Sequence, residues 1–266
     1  MSAVPRKSQP TREKLVRLEG DFLSIGLYPG KSYRHAVVAK AFEDLLAMGC
    51  RPKMASLWDV RPSAIDHEML YNGEYETVDL DFSKPRNRNK LGNHVLHRCV
   101  MELSALPIPC EFQLMCSFND DKTFDVNVDF PYWALFRENR LTIQGSYFAE
   151  LIIETIALVL FESGFYLYGG VEWEYEVPTL FDLRTRSKTL PEHCGLYSAP
   201  VVDKLGRSRL MDQLRPARRL HQFHQGGVYF SWDYWYEEHA ASDKVPQEFK
   251  AFIANFDSTN LEETIE

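Results

Sequence analysis

Two acidic rows, two histidine pairs and an arginine cluster are the places where residue type and spacing could do chemistry. Asp125, Asn127 and Asp129 begin like a calcium loop. Such a loop needs glycine at its sixth position and a carboxylate at its twelfth, and here Phe130 and Phe136 stand there, so the motif fails. As alternate residues of a strand, the three form instead a solvated or partner-facing row. Glu172, Glu174 and Glu176 alternate with Trp173 and Tyr175. Such a row suits paired-carboxylate catalysis, a recognition surface, or the wet face of a sheet. Recognition draws on both residue types, since aromatic groups give desolvated anchors and carboxylates complement a basic partner.

His94 with His97, and His221 with His224, are spaced three apart, and His193 precedes Cys194. A zinc site would need the fold to bring three of these together. Neither pair carries the glutamate of HExxH or a CxxC companion. No serine sits in a GxSxG elbow. Gly169–Gly170 and Gly226–Gly227 lack the phosphate-cradling patterns and read as bulges or strand starts. Glu248 and Lys250 fall on a C-terminal helix, which gives little support to a nuclease. Arg207, Arg209, Arg215, Arg218 and Arg219 could grip a phosphate or carboxylate, or form a solvated helix face. No catalytic set, metal set or cofactor motif is complete, so the chain reads as a binding protein more readily than as an enzyme. The alternative is a metal-assisted hydrolase or transferase using His221, His224 and nearby carboxylates. A third is a homo-oligomeric scaffold built on exposed aromatic strands.

The elements that position these residues belong to a globular chain. Of 266 residues, 45% are hydrophobic, 13% aromatic and 26% charged, enough for a full core. A net charge of −8 argues against binding the nucleic-acid backbone and suits a basic partner. Five cysteines without a CxxC imply reduced thiols and a cytoplasmic setting. The basic N-terminus lacks the apolar core of a signal peptide. No stretch reaches the roughly 18–20 apolar residues of a membrane span.

The pattern predicts an α+β fold, mainly antiparallel sheet packed against helices. Residues 1–17 read as a loose lead-in, 18–257 as one domain and 258–266 as an acidic tail. A division into two similar halves, about 18–106 and 107–257, is the other reading. DFLSIGLYPG reads as a strand, followed by a helix ending at Gly49 and a strand in PKMASLWDV. Residues 62–93 look like a long surface excursion, acidic around Glu68 to Asp81 and including Glu74 and Glu76. The spacing predicts a helix over 94–106, stopped by Pro107. CEFQLMCSF and TFDVNVDF form a hairpin around Asn119, with Val126, Val128 and Phe130 on one face. SYFAELIIETIALVLFESG is the central core helix, its polar stripe reduced to Glu150, Glu154 and Thr155. It leads into the strand FYLYGGVEWEYEV. Ser32, Tyr33, Gly49 and Trp58 recur as Ser146, Tyr147, Gly164 and Trp173, which would suit an internal duplication. A late strand, GGVYFSWDYW, precedes a short helix whose apolar face is Phe249, Phe252, Ile253 and Phe256, with Ser242 or Asp243 as cap.

Taken in order, these units resemble immunity protein family fifty-two of polymorphic toxin and type VI secretion systems. The likeness lies in GCRPKMASLWDV, the RNRN step from Arg86 to Asn89, the hairpin CEFQLMCSF with TFDVNVDF, the helix running into FYLYGGVEW, the Gly195–Leu196–Tyr197 step and GGVYFSWDYW. It spans most of the chain, departing between Ala64 and Lys84, where this sequence is longer. The resemblance implies a cytoplasmic antidote that directly binds a cognate toxin of restriction-endonuclease fold. It supplies no catalytic residues. Combined with the acidic and aromatic rows, it makes Glu172, Trp173, Glu174, Glu176, Asp125, Asn127, Asp129, Glu74 and Glu76 the expected partner-binding residues.

Overall fold

Alternation around Asn119 sets the centre of the architecture. Phe112, Leu114 and Cys116 on one arm, and Phe124, Val126, Val128 and Phe130 on the other, all enter one apolar core, so the two arms must pair with that face inward. In the computed structural model they do: strands β5 (Cys110–Phe118) and β6 (Phe124–Pro131) are antiparallel, with Leu114 opposite Val128 and Cys116 opposite Val126. Phe112 and Phe130 stack at 5.0 Å. Burying each such ring contributes roughly 2–3 kcal/mol, and the pair about 1 kcal/mol more. The structure describes residues 22–30, 34–104, 110–119, 123–131, 143–163, 166–173, 177–232, 245–259 and 261. The lead-in and the caps Ser242 and Asp243 therefore lie outside the described residues.

The hairpin extends into one ten-stranded sheet in which every described pairing is antiparallel. The remaining strands are β1 (Phe22–Tyr28), β2 (Arg51–Trp58), β3 (Thr77–Asp81), β4 (Val95–Leu103), β7 (Tyr168–Trp173), β8 (Cys194–Tyr197), β9 (Arg219–Gln222) and β10 (Val228–Ser231). Their order is β3-β2-β4-β5-β6-β1-β7-β8-β10-β9, so the fold is α+β. Both expected halves contribute strands to this one sheet. Helix α1 (His35–Ala47) joins β1 to β2 across three strands, and α4 (Ile143–Ser163) joins β6 to β7 across one. Each therefore links two parallel strands. The second crossover reverses both strand direction and the sense of the step, so the right-handed rule places both helices on the same face. They do pack there together, and Ser163 Oγ donates to Asp44 Oδ2.

Helix α1 forms because Val37, Val38, Ala41, Phe42 and Leu45 recur on one side and are buried. It ends where Gly49 takes φ 85, a left-handed turn that suits glycine. The opposite face of the sheet has two separate covers. At one end α2 (His67–Tyr71) packs Leu70 against Trp58 and Val95. At the other, α5 (Leu180–Thr185), α6 (Ala199–Leu205), α7 (Arg207–Leu214) and α8 (Gln247–Ala254) bury a second core around Tyr168, Tyr197, Phe230 and Phe249. Phe249, Phe252, Ile253 and Phe256 share the buried face as the pattern predicts, and that core takes in Leu261 as well.

Two expectations are corrected. The helix predicted over 94–106 is replaced by strand β4 over 95–103. Leu96, Cys99 and Leu103 all enter the helix-side core, which in the sequence looks like helical spacing. A β-bulge produces it: Arg98 pairs with Ser56 and Leu96 with Leu57, leaving His97 as the extra residue and shifting the alternation. The excursion over 62–93 is also more regular than predicted. It holds α2, the edge strand β3 and the short helix α3 (Pro85–Arg88), because Asp66 caps α2 by accepting from Glu68 N at 2.9 Å.

A polar groove between two covers of the sheet

Between the two covers the outer face carries a groove of about 530 Å³. Its floor is the polar side of β5, β6 and β1: Met115, Ser117, Asn119, Asp125, Asn127, Asp129 and Ser24 line it. Register builds this floor. Gln113 lies opposite Asp129 and Asp129 opposite Ser24, while Met115 lies opposite Asn127, and Ser117 opposite Asp125. Directly opposed residues share a face, so the alternation that sends valines to the core lines up the polar groups beneath the groove.

The row predicted as solvated or partner-facing is buried, with Asp125, Asn127 and Asp129 only 7%, 8% and 6% exposed. Neighbouring strands and the two covers shut out most of the water, and the row is knitted internally. Asn127 Nδ2 donates to Asp125 Oδ2 at 2.9 Å and to Ser117 Oγ at 3.2 Å. Asn119 Nδ2 donates to Asp125 Oδ1 at 2.7 Å. Gln113 Nε2 donates to Asp129 Oδ2 at 3.0 Å, and Ser24 also bonds to Asp129. Burial raises the Asp129 carboxyl above its ordinary range, against the lowering pull of the Ser24 and Gln113 hydrogen bonds. Two acceptors remain without a partner: Asn127 Oδ1 and Gln113 Oε1.

One wall is Tyr71 on α2; the other is Val177, Thr179, Phe181, Asp182 and Lys188. This second wall is held to the sheet by two stacked tyrosines. Tyr28 and Tyr168 lie 4.9 Å apart, with Leu180 N donating to Tyr28 Oη at 3.3 Å and Tyr168 Oη donating to Pro178 O at 2.6 Å. A capping box starts α5: Thr179 N donates to Asp182 Oδ2 and Asp182 N to Thr179 Oγ1. Burial would raise the Asp182 carboxyl. The Thr179 and Ser187 hydrogen bonds and the Lys188 charge outweigh it and hold the group low. At the rim Tyr71 and Phe181 are 53% and 58% exposed, large apolar groups left to solvent on both sides of a polar floor.

Glu172 and Trp173 stand on β7 opposite Ser24 and Leu23 by backbone register, and their side chains, with Glu174 and Glu176, lie outside the described residues. Glu74 and Glu76 are exposed beside α2 and do not line the groove. The histidines are dispersed. His94 reaches Lys90 O, His97 stacks on Trp58 at 4.5 Å, and His221 meets the ring of Phe223. Among the described residues no group of three or more His, Cys, Asp or Glu could hold a metal. All five cysteines are buried, and burial raises the thiols of Cys50, Cys99, Cys110 and Cys116, which suits none of those four to nucleophilic work.

The arginine cluster divides. Arg207 and Arg215 pair with Asp203 and Asp212 on the exposed α6–α7 side. Arg218 and Arg219 turn inward to the helix stripe, with Arg218 bonding Glu150 at 2.6 Å and Arg219 pairing with Glu154. Sequence reasoning missed Ser24, Gln113, Tyr71 and Phe181. The alternation of β5 already placed Gln113 and Ser117 on the hairpin's polar side, but nothing local marks Tyr71 or Phe181 as rim residues.

No family model matches the chain, and no curated protein is significantly similar. Among solved structures it is similar to the Pseudomonas aeruginosa T6SS protein PA0821, at 10% identity over 88% of this chain and 71% of that one, with a TM-score of 0.47. No helix among the described residues is long and apolar enough to cross a membrane.

Proposed function

We propose that this protein is an immunity protein that binds and neutralises a cognate nuclease-type toxin in the cytoplasm. The observation that carries the reading is the groove. A buried acidic and amide floor, with unsatisfied acceptors, lies between two exposed aromatic residues. Polar groups at these strand positions cost stability unless they are paired, whereas recognition of a partner uses both parts. The resemblance of its motifs to immunity protein family fifty-two and a net charge of −8 support the same reading, since nucleases present basic surfaces. Glu172 and Trp173 on β7, Glu174 and Glu176 next in the sequence, and Glu74 and Glu76 beside α2 are proposed as outer contacts.

Co-expression with the product of the adjacent gene, followed by affinity purification and a growth assay, tests this. The two proteins are expected to co-purify and the growth defect to disappear. A toxic neighbour that neither binds nor is neutralised rules the reading out. Replacing Glu172, Glu174 and Glu176 together by Lys is expected to weaken association and flatten its salt dependence; unchanged affinity removes that patch from the contact.

A further inference from the structure

Among the described residues, the buried atoms of the groove floor that lack a partner are of one kind. Both described donations from Asn127 Nδ2 stay inside the row, and Gln113 Nε2 is turned to Asp129. Both atoms that lack a partner are acceptors: Asn127 Oδ1, on a groove-lining residue only 8% exposed, and Gln113 Oε1, on a residue 5% exposed that lies opposite Asp129. The groups acting on Asp129 are a hydroxyl and an amide, both neutral. A ligand that completes this floor must bring donors and positive charge.

Resting on the partner-binding reading above, we propose that the groove receives an arginine side chain of a basic protein partner, with Asp129 and Asn127 Oδ1 as acceptors and Tyr71 and Phe181 flanking its stem. A guanidinium has five donors and no acceptor, is more weakly hydrated than an ammonium, and stacks on aromatic rings. Asn127 and Asp129 are two residues apart on one strand face, about 7 Å. One planar fork, with hydrogen bonds of about 2.9 Å on either side, spans that separation. The groove's volume of about 530 Å³ exceeds a single side chain and suits an arginine carried on a loop. Lys188, at the rim, acts electrostatically on Asp182.

The probe is N-acetyl-arginine amide, titrated into the full-length isotope-labelled protein and followed through the side-chain amide resonances of Asn127 and Gln113. The citrulline counterpart, which keeps the shape but loses the charge, serves as control. Both resonances are expected to move with arginine and not with citrulline. Asp129→Asn is expected to reduce affinity at least tenfold, and Tyr71→Ala with Phe181→Ala about threefold without unfolding the chain. Equal response to citrulline, or silent resonances with arginine, overturns the proposal. Co-purification with the neighbouring gene product separates the two readings. Undiminished binding of that product by Asp129→Asn sinks the groove assignment and spares the immunity reading. Arginine binding without any binding of that product does the reverse.

Discussion

The protein buries two acidic sets and treats them in opposite ways. Glu150 and Glu154, on α4, are 3% and 6% exposed and meet Arg218 and Arg219 from the edge of the sheet. Asp129, equally buried on β6, is met by Ser24 and Gln113, which carry no charge. A buried carboxylate with a guanidinium beside it is charge-compensated within the fold, and removing either partner leaves an uncompensated charge. A buried carboxylate with neutral donors is held at a cost, which makes sense where an external cation supplies the rest. The same residue type thus serves folding in one place and, on our reading, recognition in the other.

The strongest way to break that contrast is at the charge-compensated set. Arg219→Ala strands Glu154 and is expected to lower the unfolding free energy by about 3–5 kcal/mol, read from the urea midpoint. A loss under about 1 kcal/mol would place the pair with ordinary surface ion pairs. Next comes acid sensitivity at the α2 wall. His97, stacked on Trp58, is lowered to about 4, first by burial and then by the Arg98 charge, with Asp79 opposing. The unfolded chain takes up this proton near the ordinary histidine value of 6.5, so stability is full above that pH and falls as pH drops towards about 4. His97→Phe is expected to flatten that limb by roughly 1–2 kcal/mol, measured by denaturation across the same range.

A third test has the opposite sign. Because the Asp129 carboxyl is raised above its ordinary 3.8, its contribution is fully present below that pH and is lost as pH rises through the folded value. Asp129→Asn removes the charge while keeping the shape, so at neutral pH the free protein is expected to gain about 1 kcal/mol. The gain should vanish below about pH 3.8. A destabilised variant at pH 7 would put Asp129 with Glu150 and Glu154 as a structural acid. The smallest effect belongs to the rim. Tyr71→Ala and Phe181→Ala are expected to change stability by less than about 0.5 kcal/mol each while reducing partner binding. A larger change in melting temperature would mean that these side chains hold the covers in place.

Much of the scaffold was legible because it rests on local pattern. The alternation of Val126, Val128 and Phe130 with Asp125, Asn127 and Asp129 defined the hairpin and its two faces, and the apolar circumference of 146–164 marked the core helix. Strand β4 was misread because a bulge at His97 leaves Leu96, Cys99 and Leu103 on one side, a spacing shared with a helix. Asp125, Asn127 and Asp129 were singled out correctly as a row, but their burial was not legible, since it depends on β1, on α2 and on residues 177–188, all far away in the chain.

The sequence by itself determined the antiparallel hairpin, the apolar face that its two strands turn to the core, and the absence of a complete catalytic motif. These follow from period and residue type over a few neighbours. Tertiary structure alone decided which polar groups found partners. It brought Arg218 and Arg219 to Glu150 and Glu154, and it set Tyr71 and Phe181 on either side of Asp129 and Asn127. Those pairings depend on strand order and on which elements lie over the outer face, and no local spacing encodes either.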